Sequence, residues 1–281
     1  MPSVLILEST QRLVDARKAL AEPVGLVPTM GALHEGHLSL VRRARAENAS
    51  VIASIFVNPT QFGPHEDFER YPRDLAADCR LLESAGCDAV FAPSTSDVYP
   101  PGFSTTIDVG PVARPLEGER RPGHFVGVAT VVARLLLLVH PQRAYFGEKD
   151  AQQLAVIRRL VTDLALPVDV VGCPIIRELD GLAMSSRNAY LQPEQRRAAA
   201  ILFRSLEDAT ALWDSRTRGA AELEAALVRV LHAEPLAKMD YARAVDPTTF
   251  ESPTVDAGDV LLALAVWIGA TRLIDNRRLS R

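Results

Sequence analysis

The chain has 281 residues, 48% hydrophobic and 23% charged, with a formal net charge of −4. That length allows two domains at roughly 100–200 residues each and a core that needs no covalent staples. The slight acidity counts against a nucleic-acid partner, which requires a basic face, but it leaves room for a local basic pocket that takes a small anion.

Cys79, Cys87 and Cys173 form no C-x-x-C pair and no disulfide framework, so a reducing cytoplasm is expected. The opening "MPSVLILESTQR" lacks the basic flank of a secretory signal. Short apolar runs at 24–29 (VGLVPT), 50–57 (SVIASIFV), 88–93 (DAVFAP), 143–147 (RAYFG) and 168–176 (VDVVGCPII) read as buried strands. Between the first two, residues 37–48 place Leu38, Leu40, Val41 and Ala44 opposite a charged face, which suits an amphipathic helix. Residues 74–86 repeat the pattern and end on Gly86, a C-cap signal, and residues 150–165 repeat it again. The longest apolar stretch, "VGVATVVARLLLLV" (126–139), is interrupted by Arg134 and too short to cross a bilayer; it reads as a buried helix.

Strands alternating with helices of this length predict βαβ units and an α/β fold, a Rossmann-like doubly wound parallel sheet. Residues 94–123, rich in Pro, Gly and Arg, read as a long loop around one short strand, "STTIDV" (104–109). Beyond residue 176 the pattern changes. Helices are expected over 193–213, opening with Pro193 near N1, and over 220–234. "MDYARAVD" and "DVLLALAVWIGATRLIDN" then read as strands of a smaller sheet. The expected division is a Rossmann-like domain, 1–176, and a smaller α+β domain, 177–281, meeting in the polar segment "RELDGLAMSSRN".

The first strand runs through "VPTMGALHEGH" (27–37) straight into a helix. His34 and His37 are not spaced as in H-E-x-x-H, and Gly36 would weaken a helix beneath metal ligands, which counts against zinc. An isolated H-x-x-H at a helix start signifies little. Here it follows a strand of a parallel sheet, where ligands bind at the carboxyl ends of strands. Helix N-termini there offer unpaired N–H groups and a partial positive charge to phosphate. Imidazoles three apart share a face and can reach one phosphate group. The H-x-G-H form resembles the nucleotide-binding signature of the nucleotidylyl-transferase and class I aminoacyl-tRNA synthetase group.

Three further strings sit at strand ends or beyond the last strand. "AMSSRN" (183–188) is an ordinary turn by itself, but it stands where that group carries a mobile basic loop, and Met184, Ser185, Ser186 and Arg187 supply two hydroxyls and a guanidinium. "YFGEKDAQQ" (145–153) brings Gly147, a point charge in Lys149, a helix cap in Asp150 and Gln153 about one turn later. "FVNPTQFGPHEDFERYPRD" (56–74) brings Asn58 and Gln61, neutral groups that suit a hydroxylated substrate better than a phosphate.

Together with "RPGHFVGVATVVARL", these strings make the chain resemble the pantothenate synthetase (pantoate–β-alanine ligase) family over nearly its whole length, with Val126 where relatives often carry a polar residue. The resemblance implies condensation of (R)-pantoate with β-alanine to pantothenate, AMP and pyrophosphate through a pantoyl adenylate. It implies ATP as substrate, Mg²⁺ bridging the ATP phosphates without a dedicated protein metal site, and a homodimer with no nucleic-acid or membrane partner.

By the same resemblance Met30, Gly31, Ala32, Leu33, His34, Glu35, Gly36 and His37 form the ATP-binding segment, with His37 the proton donor. His34, Lys149 and Arg187 complete the catalytic group. Gly147, Glu148, Lys149 and Asp150 would contact ATP, with Asp150 on the ribose, and Ile176 would meet adenine through its backbone. Met184, Ser185, Ser186 and Arg187 would close over the triphosphate. Gln61 and Gln153 would bind pantoate, Gln61 also lying at the β-alanine site, with Asn58 assisting.

The nearest alternative is a nucleotidyltransferase that leaves the nucleotide on its product; the two neutral glutamines favour a small hydroxy acid instead. A tRNA synthetase would need a basic domain, and a non-catalytic ATP-binding module would use the same crevice without turnover.

Overall fold

The structure, a computed structural model, describes residues 4–64, 66–215, 219–253 and 258–280. The chain forms two compact units, Met1–Glu148 with Gln152–Pro174, and Lys149–Ala151 with Ile175–Arg281. Among the described residues no helix is long and apolar enough to cross a membrane.

In the first unit the elements follow as β1 (Leu5–Leu7), α1 (Thr10–Ala19), β2 (Val24–Thr29), α2 (Glu35–Glu47), β3 (Ser50–Ile55), α3 (Leu75–Ser84) and β4 (Ala89–Phe91). Then come α4 (Thr95–Val98), α5 (Glu117–Arg120), α6 (His124–Val139), β5 (Arg143–Gly147), α7 (Ala151–Asp163, its first residue grouped with the second unit) and β6 (Asp169–Cys173). The six strands are parallel, in the order β1-β4-β3-β2-β5-β6. Apolar side chains fill both faces, as a parallel sheet requires. Leu26, Ile52 and Phe91 pack with α1, α6 and α7 on one face. Val27, Ala53 and Val90 pack with α2 and α3 on the other. Helix α6 buries residues on nearly every turn, including Phe125, Val128, Val132, Leu135 and Leu136. Each such side chain contributes about 1.5–3 kcal/mol by leaving water, as expected of the buried helix that the apolar run predicts.

The chain builds outward from β2 through β3 to β4, then returns to place β5 on the other side of β2. The order reverses between β2 and β5, so the carboxyl ends of these two strands flank the topological switch point where α/β sheets bind ligands.

Two features of the first unit differ from expectation. The N-terminal run forms β1 and α1, which the apolar pattern does not predict; β1 is an edge strand with only Leu7 of its three residues buried. "STTIDV" (104–109) is not a strand. Among the described residues it pairs with no strand: the Ile107 amide donates to Thr130 Oγ1 on α6, while Ile107 and Val109 pack on the core. The surrounding loop carries α4, α5 and a 3-10 turn at Pro111–Ala113.

The second unit contains α8 (Pro193–Ala199), α9 (Ile201–Asp214), α10 (Ala220–His232) and a three-stranded antiparallel sheet, β7 (Ala237–Val245), β8 (Asp259–Ile268) and β9 (Thr271–Ser280). The single helix expected over 193–213 is divided at Ala200. Leu202, Leu206, Leu223 and Leu227 from the helices meet Leu262, Leu264 and Val266 from β8 in one core.

Candidate active site

At the end of β2 the chain makes two left-handed steps, Gly31 (φ 82°) and Ala32 (φ 50°), before α2 begins. A left-handed alanine costs about 1–2 kcal/mol, and Asp78 on α3 supplies the compensation. Its carboxylate accepts from the Ala32 amide (2.9 Å) and the Leu33 amide (2.8 Å). A side chain at Gly31 would meet Asp78 Oδ2 at 2.8 Å, so the turn also needs glycine for space. Burial pushes the Asp78 carboxyl above its ordinary range, against the two backbone hydrogen bonds that pull it down.

The rest of the turn is equally committed. Gly31 N donates to Thr29 Oγ1 (3.2 Å), Gly36 N to His34 Nδ1 (3.1 Å) and His34 N to His37 Nδ1 (3.4 Å). His34 is the N-cap of α2, and the two histidines form a capping box with ring centroids 4.1 Å apart. This corrects the expectation that the helix N-terminus presents open amides to phosphate: the amides of residues 31–34 and 36 donate within the protein. The two imidazoles are committed as well: His34 and His37 each accept a backbone amide on Nδ1, and an imidazole whose Nδ1 accepts carries its hydrogen on Nε2 when neutral.

After β3, a 3-10 turn at Pro59–Gln61 is capped by Asn58. Asn58 is 1% exposed. Its Nδ2 donates to Gln61 Oε1 (3.1 Å) and Gly127 O (3.2 Å), and its Oδ1 accepts from Thr60 N (3.3 Å), Thr60 Oγ1 (2.9 Å) and Tyr99 Oη (2.8 Å). It therefore holds Gln61 rather than facing a ligand, in contrast to the substrate contact expected of it. Gln61 Nε2 points at Met30 Sδ (3.2 Å), which joins this turn to the histidine segment.

Beneath Gln61, His124 at the start of α6 donates from Nδ1 to Gln61 O (2.8 Å) and receives Arg121 on Nε2 (3.0 Å). The carbonyl can only accept and the guanidinium can only donate, which fixes this tautomer. Burial, with Arg121 beside it, pushes His124 down to about 4. Arg121 in turn pairs with Glu66 at 2.7 Å.

At the end of β5, Gly147 has open space where a Cβ would be. Glu148 is exposed and Gln153 half-buried. The neighbouring Gln152 is buried and bonded to Val112 O, Pro115 O and Glu117 N, so of the two glutamines only Gln153 has a partly exposed side chain.

Within the second unit, Arg177 and Ala183 pair across a short bridge, and Met184 N donates to Ile176 O (2.9 Å). Arg177 makes a bidentate pair with the fully buried Asp275 of β9 (2.6 and 3.0 Å) and lies over Phe203. This hairpin carries Met184–Arg187. Ser185 accepts from Arg187 N (3.3 Å) as the cap of a 3-10 turn, Ser186–Tyr190. Lys149 is half-buried and Asp150 exposed; Asn276 Nδ2 on β9 donates to Lys149 O (2.8 Å).

Sequence reasoning missed Asp78, which holds Ala32 and Leu33, Tyr99, which holds Asn58, His124, which holds Gln61, and the Arg177–Asp275 pair at the base of the hairpin. Asp78 left one readable signal: it lies on the buried stripe of α3 with Cys79 and Leu82, and a carboxylate in an apolar stripe demands a partner.

The family model for pantoate-beta-alanine ligase matches residues 5–278. A pantothenate synthetase of Roseiflexus sp. (strain RS-1) is 58% identical over 271 residues, covering 96% of this chain and 98% of the relative. The crystal structure of pantothenate synthetase from Thermus thermophilus superposes with a TM-score of 0.93 at 51% identity, covering 98% of this chain and 99% of that one. A pantoate-beta-alanine ligase from Francisella tularensis, complexed with beta-gamma ATP and beta-alanine, superposes with a TM-score of 0.81 at 36% identity, covering 98% and 97%.

Proposed function

The chain belongs to the pantoate–β-alanine ligase family, and we propose from that premise how its residues divide the work of an ATP-dependent ligation. A carboxylate resists attack by an amine because an oxide would have to leave. In the first half-reaction a pantoate carboxylate oxygen attacks the α-phosphorus of ATP, and the bond to pyrophosphate breaks. In the second, the β-alanine amine attacks the acyl carbon, AMP leaves with the former carboxylate oxygen, and the amine loses a proton. Positioning two anions and stabilising charge on the phosphates is the main task.

His34 and His37 donate Nε2–H to phosphate oxygens, and Lys149 adds a point charge. Ser185, Ser186 and Arg187 bind oxygens of the triphosphate. Asp150 takes the ribose, and the backbone at Ile176 takes adenine. The backbone amides of residues 31–33 shape this segment, since they donate within the protein. Gln61 and Gln153 bind pantoate, with Asn58 as the support of Gln61. Mg²⁺ enters with ATP as its counter-ion, and the protein acts in the cytoplasm as a homodimer.

The observation that carries this reading is the capping box at the switch point, in which His34 and His37 each accept a backbone amide on Nδ1 and lie side by side. The test is release of AMP and pyrophosphate with ATP, Mg²⁺, D-pantoate and β-alanine, each omitted in turn. AMP release that needs both pantoate and β-alanine is expected. A nucleotide-bearing product, or ATP binding without turnover, would overturn it.

A further inference from the structure

The hydrogen bonds around Asn58 have a direction that can be read without seeing a hydrogen. A backbone amide only donates and a backbone carbonyl only accepts. Asn58 meets one of each: Thr60 N at 3.3 Å and Gly127 O at 3.2 Å. The atom near Thr60 is therefore oxygen and the atom near Gly127 nitrogen. The second Nδ2 hydrogen points at the Gln61 side chain, 3.1 Å away, so the Gln61 atom there is the acceptor Oε1. The other end of that amide, Nε2, is turned toward Met30 Sδ. A thioether is a weak acceptor, so a strong donor faces a poor partner. Replacing sulfur with a substrate oxygen is favourable, and replacing it with another donor is not.

The far end of the chain of bonds is Tyr99. Its hydroxyl donates to Asn58 Oδ1 at 2.8 Å, and its ring is wedged between Phe56 and Phe103, with centroids 6.2 and 5.1 Å away. Gly127 keeps the arrangement compact: a Cβ there would lie 2.4 Å from Thr60 O.

We propose that Tyr99 is a positioning residue for acid-substrate specificity: through Asn58 it holds the Gln61 amide with its N–H toward the substrate, so that the site reads an oxygen lone pair. The proposal rests on the assignment of Gln61 to the pantoate site. It names the substrate feature recognised there, an oxygen acceptor of a hydroxy acid, and it predicts rejection of an analogue bearing an ammonium group in place of that oxygen.

The test is steady-state kinetics on the full-length enzyme, varying pantoate, ATP and β-alanine separately, for Gln61→Ala, Tyr99→Phe and Asn58→Asp. Gln61→Ala is expected to raise the pantoate KM by about tenfold or more, the cost of a lost polar contact to a charged substrate. Tyr99→Phe keeps the ring and removes the hydroxyl's contacts with Asn58 Oδ1 (2.8 Å) and Thr60 Oγ1 (3.2 Å); it is expected to raise the pantoate KM by about fivefold, leaving kcat and the ATP KM within about twofold. Asn58→Asp places an acceptor opposite Gly127 O and Gln61 Oε1; it is expected to exceed Tyr99→Phe in the same direction.

If Gln61→Ala raises the pantoate KM and neither of the other variants does, the relay is wrong and the site assignment stands. If Tyr99→Phe shifts the KM of all three substrates together, Tyr99 is only structural. If Gln61→Ala leaves the pantoate KM unchanged, the site assignment fails and the relay fails with it.

Discussion

Asp78→Asn isolates the brace beneath the histidine turn. The carboxylate accepts two amides at 2.9 and 2.8 Å, one on each oxygen. A carboxamide keeps one acceptor and turns an NH₂ toward the other amide. One charge-assisted bond is lost, worth about 1.5–3 kcal/mol, and a buried donor is left unmatched. Against this, the variant no longer holds a desolvated carboxylate, and the upward displacement of Asp78 shows that this burial is costly. The net loss is roughly 2 kcal/mol. At about 2–4 °C per kcal/mol for a chain of this size, melting should fall by roughly 4–8 °C.

The functional effect should be larger. Gly31 and Ala32 hold left-handed conformations that the brace maintains, and a shift of about 1 Å at a catalytic group can cost about a hundredfold. Single-turnover adenylate formation is the assay, with ATP titration beside it. Acid sharpens the test. A carboxyl raised in the native state lets the folded protein bind its proton first, so Asp78 makes its titration contribution to stability as pH falls toward the ordinary 3.8, and that contribution is absent at neutral pH. The stability gap between wild type and Asp78→Asn should therefore widen on acidification. A variant that keeps both its melting temperature and its adenylation rate within about twofold of wild type would refute the brace.

Alanine at His37 or Lys149 should lower adenylate formation by about 10²–10³, or about 2.7–4 kcal/mol, by analogy with a lost oxyanion donor, while pantoate binding changes less; an unchanged first half-reaction would sink the phosphate roles. His124, held down to about 4 from 6.5, is neutral in the fold, so its contribution is present above pH 6.5 and lost as pH falls toward 4. That contribution is on the order of 3 kcal/mol, and His124→Asn should flatten the stability profile across that window in denaturant titrations. Gly127→Ala forces a methyl onto Thr60 O; it should raise the pantoate KM while leaving ATP binding in place, and equal damage to both would point to general misfolding. Asp275→Ala removes the buried partner of Arg177 and should cost about 3–5 kcal/mol, read in chemical denaturation.

The parallel sheet is legible because its signals are local. The stripe Leu38, Leu40, Val41 and Ala44 is buried as the spacing predicts, and the apolar runs at 24–29 and 143–147 are β2 and β5. Strand β1 is not legible, because its reason to exist is a neighbour: Leu5, Ile6 and Leu7 pair with Ala89, Val90 and Phe91, far along the chain. "STTIDV" (104–109) fails for the converse reason, having strand chemistry and pairing with no strand among the described residues. The site divides in the same way. The types His34, His37, Gln61 and Lys149 can be read from motifs, but the direction each one faces cannot. Asp78 reaches Ala32 across 46 residues, and Tyr99 reaches Asn58 across 41. These remote partners draw the amides of Ala32 and Leu33 inward and aim one end of the Gln61 amide at Met30. A motif therefore names the donors available to a ligand, and the hydrogen bonds made by residues outside it decide which of those donors remain to be used.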